Sequence, residues 1–328
     1  MKLLSYYIIS VVCFLFTSSV FGEVVIGVIG KTKNDSFYQQ SYKGCLAFAK
    51  QHQDMRCIYD GPQDYQDIRS QAQVINAMAK KGIDGLLIST TDSGFIVSSA
   101  LAKLQQDNIP VITFDSDLLP EHQQYRLAYV GTNNYDYGIA LGEYIKQFAD
   151  DETNMLCLQS GHQTTPNLNQ RIAGIRFALS GQSTKRLTGQ KGWSEYVRCP
   201  LYSLGKRAKA LTQLEAVVTL AEPPIFLAVA GFAQFNPDYI KRMTPFKSMI
   251  DKQELIIVSA DTEEIQLQAL KRGLSVANIG QRPFEMGHLG AELLFRYIQF
   301  KERPAKLHYY LDYHYCTQEN VEKCTTNF

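Results

Sequence analysis

The sequence has no block of like charges long enough to track a phosphate backbone. Among 328 residues, 33 lysines and arginines stand against 32 aspartates and glutamates, a formal charge of +1. A nucleic-acid partner is therefore not expected. There is no low-complexity or proline-rich linker, and no helix-turn-helix segment precedes the first strand-like run, which excludes a DNA-binding repressor. No glycine-rich loop opens a helix after a strand: Gly27-Val28-Ile29-Gly30 lies within or at the end of one, so dinucleotide binding is unsupported. Ser160-Gly161-His162 sets a hydroxyl beside an imidazole but offers neither a nucleophile elbow nor a third member. The six histidines are scattered. His308, His314 and Cys316 come close together in the tail without a repeated ligand spacing, and read better as a surface strand followed by a disulfide. No catalytic residue, cofactor or metal is expected.

What is present is an ordinary globular composition, 45% hydrophobic and 20% charged, which rules out disorder. The length suits two lobes or one large α/β domain. One long apolar run, Leu3 to Phe21, follows a single lysine and ends in small residues, with Val20 and Gly22 at −3 and −1 of a plausible cut. It reads as a secretory signal peptide, residues 1–22, removed before Glu23; an uncleaved membrane anchor is the alternative, since about 19 apolar residues just span a bilayer. Cleavage would leave six of the seven cysteines. Sequence proximity favours Cys45 with Cys57 and Cys316 with Cys324 in an oxidising compartment. Cys157 and Cys199 remain by elimination, either bonded or as buried free thiols in two strands of one lobe.

Short apolar runs recur at Val24–Ile29, Met55–Tyr59, Gly85–Ser89, Val111–Phe114, Met155–Gln159, Glu195–Cys199, Ile225–Ala230, Leu255–Ala260 and Ser275–Ile279. Helical spacing lies between them, as where Ile68, Ala72, Ile75 and Ala79 share one face. Strands apolar on both parities are covered on both faces, so the expectation is parallel sheets sandwiched by helices. The rhythm breaks near Thr132–Tyr137 and resumes at Asn154, which divides the chain into two similar α/β lobes.

Ligands of open parallel sheets bind beyond the carboxyl ends of the strands. Those positions here carry Lys33-Asn34-Asp35-Ser36-Phe37-Tyr38, Phe114-Asp115-Ser116-Asp117, Asn169-Gln170-Arg171, Ala260-Asp261-Thr262 and Gln281-Arg282-Pro283. Carboxylates, a guanidinium, a glutamine and aromatic faces suit a polyhydroxylated ring. Each aspartate taken alone also suits a helix N-cap.

In order and spacing these motifs resemble the ribose- and galactose-type sugar-binding proteins of bacterial ABC transporters, the type I periplasmic binding proteins. The resemblance runs over nearly all of residues 24–312 and includes Ile83-Asp84-Gly85-Leu86-Leu87-Ile88, Asn108-Ile109-Pro110-Val111, Gly131-Thr132-Asn133-Asn134 and Arg171-x-x-Gly174. It implies two Rossmann-like lobes, residues 23–133 with 282–309 and residues 134–281 with 310–328, joined by crossings near Asn134, Gln281 and Tyr309. It also implies a ligand gripped by Asp35, Phe37, Tyr38, Asp115, Arg171, Asp261 and Gln281, with closure of the lobes on binding and with Arg171 at the cleft edge. Two departures stand out: Ser116 where many relatives have a sugar-contacting arginine, and Gly231-Phe232-Ala233-Gln234 where relatives commonly carry Asn-Asp. Phe232 and Tyr202 are candidate replacement platforms. The expected protein is a monomer in the periplasm that delivers a sugar or polyol to the membrane permease of an ABC importer; the alternative is a sensory component read by a membrane receptor kinase.

Overall fold

The computed structural model describes residues 22–65, 67–150, 153–182 and 185–324. The expected signal peptide, bar Gly22, lies outside the described residues. No helix among the described residues is long and apolar enough to cross a membrane.

In chain order the strands are β1 Val24–Ile29, β2 Met55–Asp60, β3 Gly85–Ile88, β4 Val111–Phe114, β5 Ala128–Gly131, β6 Asn154–Ser160, β7 Thr188–Gln190, β8 Trp193–Glu195, β9 Leu201–Tyr202, β10 Ile225–Ala228, β11 Ile257–Ala260, β12 Ala277–Gly280, β13 His308–Tyr310 and β14 His314–Thr317. They form two sheets. The first, ordered β13-β5-β4-β3-β1-β2, is parallel throughout. The second runs β14-β12-β11-β10-β6-β8-β7, with β9 also beside β6. It is mixed rather than parallel: β7 runs antiparallel to β8, its direct hairpin partner, and β14 runs antiparallel to β12, entering this sheet from β13 of the first. The inner strands β1, β3, β4 and β5 are buried at every residue, as two-sided cover requires. Separate apolar cores lie on the two faces of the first sheet, and one large core surrounds the second.

The chain passes between the sheets three times: after β5, after β12, and between β13 and β14. Tyr310, expected in the second lobe, instead pairs with Gly131 in the first sheet, which moves the third passage to residues 311–313. After each of the first two passages a helix packs on the first helix of the lobe it enters, by paired glycines. In the first lobe Ser36–Ala49 meets Pro283–Phe300 at Gly44 and Gly287, where any Cβ would overlap a carbonyl of the facing helix. In the second lobe Asn134–Ile145 meets Pro166–Ser180 at Gly138 and Gly174 in the same manner.

Three disulfides are present among the described residues. Cys45 on the first helix bonds Cys57 on β2, and Cys316 on β14 bonds Cys324. Cys157 on β6 bonds Cys199. The expected strand at Glu195–Cys199 does not form beyond Glu195; the chain turns there, and Cys199 swings back over β6 from a loop.

Candidate ligand-binding cleft

Both sheets point their carboxyl ends at one enclosed space. Asp115 follows β4 and Asp261 follows β11, strands that hold equivalent places in the two sheets. Both aspartates adopt left-handed backbone, with φ of 56° and 72°. That conformation is uncommon outside glycine and tends to be held where a site needs it.

Asp115 is the hub of the space. Its carboxylate accepts from Ser89 Oγ at 2.8 Å, Asn167 Nδ2 at 3.1 Å and Tyr38 OH at 3.3 Å. Lys31 Nζ stands 3.4 Å away and Arg171 Nη2 3.5 Å away. Burial alone would raise the Asp115 pKa, but Lys31, Arg171 and the Ser89 hydrogen bond together hold it below the usual carboxylate value. The Lys31 ammonium is lowered, chiefly by burial and also by Arg171, and it donates to Asn167 Oδ1 at 3.0 Å.

Arg171 is 1% exposed. The expectation of a cleft-edge arginine is therefore corrected: it is a buried crosslink. Nε donates to Asn134 Oδ1 at 2.8 Å, Nη1 to the Val229 carbonyl at 2.8 Å and Nη2 to Gln281 Oε1 at 3.0 Å, while its guanidinium lies 4.8 Å above the Tyr137 ring. Gln281, just past β12, passes the contact on by donating to Asp261 Oδ1 at 2.8 Å. The other Asp261 oxygen accepts from Gly231 N at 3.3 Å. Burial raises the Asp261 pKa against the opposing pull of Arg171.

Asp35 fills the helix N-cap role its sequence position suggested. One carboxylate oxygen caps the first helix by accepting from Phe37 N at 2.8 Å. The other lies 3.9 Å from Arg207 of the second lobe. Burial, with Glu263 adding to it, pushes the Asp35 pKa up to about 7. Phe37 and Tyr38 meet edge to face, and an aromatic chain continues from Tyr38 to Tyr65 and on to Phe232 across the lobes, the last pair 5.2 Å apart and T-shaped.

Asp35, Phe37, Tyr38, Asp115, Arg171, Phe232, Asp261 and Gln281 thus line one cavity. Tyr202 does not: it sits half-buried on β9 beside β6, outside that lining. Sequence reasoning missed Lys31, Tyr65 and Asn167. Lys31 follows Gly30 directly, a strand-end position by the rule already in use, and Asn167 precedes Arg171 by one helical turn. Tyr65 comes from the loop after β2 and carried no sequence signal. The cavity encloses about 30 Å³, room for a water or two, because its polar groups have closed on one another. Among the described residues no His, Cys, Asp or Glu cluster has a metal-holding arrangement.

Two α/β lobes are joined by three chain passages, with a cavity of carboxylates, cations and aromatic rings between them. The chain belongs to the periplasmic binding protein family, whose domain model matches residues 26–302. It is 28% identical over 173 residues to the D-ribose/D-allose-binding protein of Pseudomonas aeruginosa, an alignment spanning 51% of this chain and only about half, 53%, of that relative. The fold matches an ABC transporter solute-binding protein of Burkholderia graminis in complex with D-arabinose, at 23% identity and a TM-score of 0.77, covering 93% of this chain and 99% of the other. It also matches one from Agrobacterium vitis with bound D-fucose, at 20% identity and a TM-score of 0.78, covering 91% and 97%.

Proposed function

We propose that this chain is a periplasmic solute-binding protein that captures a small polyhydroxylated ligand, a sugar or cyclitol, between its lobes and presents it to the permease of an ABC importer, without chemical change. The lobes are residues 23–133 with 282–310 and residues 134–281 with 314–324. The observation that carries the reading is the single buried cavity to which both lobes contribute carboxylates, a cation and aromatic faces. Lys31, Arg171, Asn167 and Gln281 donate to ligand oxygens; Asp35, Asp115 and Asp261 accept from hydroxyls; Phe37, Tyr38 and Phe232 cover the C–H faces. Ser116, buried after Asp115, supplies no charge where many relatives have an arginine, and Lys31 brings a cation to Asp115 from β1 instead.

The test is a thermal-shift screen of purified protein against pentoses, hexoses, inositols and furanosyl compounds. A cognate ligand at about 100 times its Kd is expected to add roughly 2.7 kcal/mol of stability. A panel in which no polyol raises the melting temperature contradicts the proposal.

A further inference from the structure

Beneath the second lobe's share of the cleft, three amide side chains are fully enclosed and bonded to each other. Gln234 is 2% exposed, and Gln266 and Asn278 are at 0%. Gln234 Oε1 accepts from Gln266 Nε2 and from Asn278 Nδ2, both at 2.7 Å. Each donor nitrogen also holds the backbone on either side of the αL aspartate: Gln266 Nε2 donates to the Ala260 carbonyl at 2.9 Å, and Asn278 Nδ2 to the Asp261 carbonyl at 3.0 Å. The remaining oxygens are engaged as well, Gln266 Oε1 by Glu263 N and Asn278 Oδ1 by Ser275 Oγ. One acceptor, Gln234 Oε1, therefore ties the segment after β10 to the turn after β11.

Two residues of that segment, Phe232 and Phe235, line the cavity, and Gly231 N reaches the Asp261 carboxylate directly. Gln234 is not among the lining residues. Its effect on a ligand is indirect, through the separation it imposes between an aromatic wall and a carboxylate. Gln234 Nε2 makes no hydrogen bond, so the segment is fixed by the two bonds that converge on Gln234 Oε1 and by the backbone bonds on either side of Asp261, a support that holds a recognition surface to within a few tenths of an ångström.

We propose that Gln234 is a positioning residue that sets ligand selectivity, by locking the Phe232–Phe235 wall to Asp261 through the Gln234–Gln266–Asn278 amide triad. This rests on reading the cleft as the ligand site. Wall and carboxylate grip different parts of a ring, so a shift between them penalises one stereoisomer more than another. A support that merely stabilised the lobe would alter all affinities by one factor.

The test compares Gln234→Leu, close in shape but with no acceptor, with Gln234→Glu, which keeps one. Kd is measured by calorimetry for the two tightest-binding sugars of the wild type. The expected result is that Gln234→Leu changes the ratio of the two Kd values at least fivefold, while Gln234→Glu keeps it within twofold. Should Gln234→Leu fail to fold, Asn278→Ala, which removes one donor and leaves the Gln266 bond, is read in the same way. A ratio unchanged within twofold in the variant lacking the bond, whatever the absolute affinities, overturns the inference. A wild type that binds no sugar overturns the reading of the cleft and the inference with it.

Discussion

Arg171 brings a full positive charge into an interior with three neutral oxygens and one carboxylate to meet it. Removing it costs about 3–5 kcal/mol, because the oxygens of Asn134, Val229 and Gln281 stay buried without that donor while Asp115 keeps Lys31 as its only cation. Arg171→Ala is therefore expected to lower unfolding stability by that amount, read from urea denaturation, and also to weaken ligand binding by about 30-fold or more. Arg171→Lys is not expected to restore either, since a point charge replaces a planar fork. An Arg171→Ala protein with an unchanged unfolding midpoint refutes the crosslink.

Asp35 makes a separate, pH-dependent prediction. Its pKa is raised to about 7 from an ordinary 3.8 by burial, with Glu263 and Asp261 raising it further and Arg207 opposing. Between those values the folded state binds more protons than the unfolded, so the contribution of Asp35 to stability is full below about pH 4 and falls as pH rises through about 7. Asp35→Asn keeps an oxygen to cap Phe37 N and removes the titration. The stability of the wild type relative to Asp35→Asn should therefore decline from pH 4 to pH 7, and parallel curves contradict this. At this scale most of the cleft was legible, because polar residues at the ends of apolar strands are visible in sequence. Tyr65 was not, because an aromatic in a loop acquires its meaning only from what the other lobe places against it.

The central strands could be read at the level of elements because each is a short apolar run between helices of clear period. β7 was not, since an edge strand of three residues has no periodicity to show, and the tail read as one surface strand is two, β13 and β14, in different sheets. The four-residue β5 was passed over where the βα rhythm breaks. The run at Glu195–Cys199 misled in the opposite way: it is a turn anchored by the buried, disulfide-bonded Cys199 rather than a strand, and its Val197 is exposed. That disulfide spans 42 residues, against 12 and 8 for the other two. On the chain-entropy account this amounts to roughly 4 kcal/mol for the long loop and roughly 2.5–3 kcal/mol for each short one. Replacing Cys157 and Cys199 together by serine should thus cost more stability than replacing either other pair, as chemical denaturation of the three double variants would show. A larger loss from the Cys316–Cys324 pair is the opposing result.

For the whole molecule, the division into two lobes showed in sequence as a break and a restart of the βα rhythm. The positions of the passages came less cleanly, because β13 joins the first sheet by pairing with β5, a long-range contact that local pattern does not encode. The lobes meet through Lys31 and Asn167, Asp115 and Arg171, and Tyr65 and Phe232. Every one of those contacts crosses the cleft, so a ligand entering it has to part them and make replacements. A crystal structure with the polyol that stabilises the protein most is the most direct examination of this account. It predicts the ring between the Phe37–Tyr38 pair and Phe232, within hydrogen-bonding distance of Asp115, Arg171 and Asp261. A ligand seated elsewhere, as in the hinge-side hollow lined by Asp117, Gln170 and His308 with the cleft contacts intact, would contradict it.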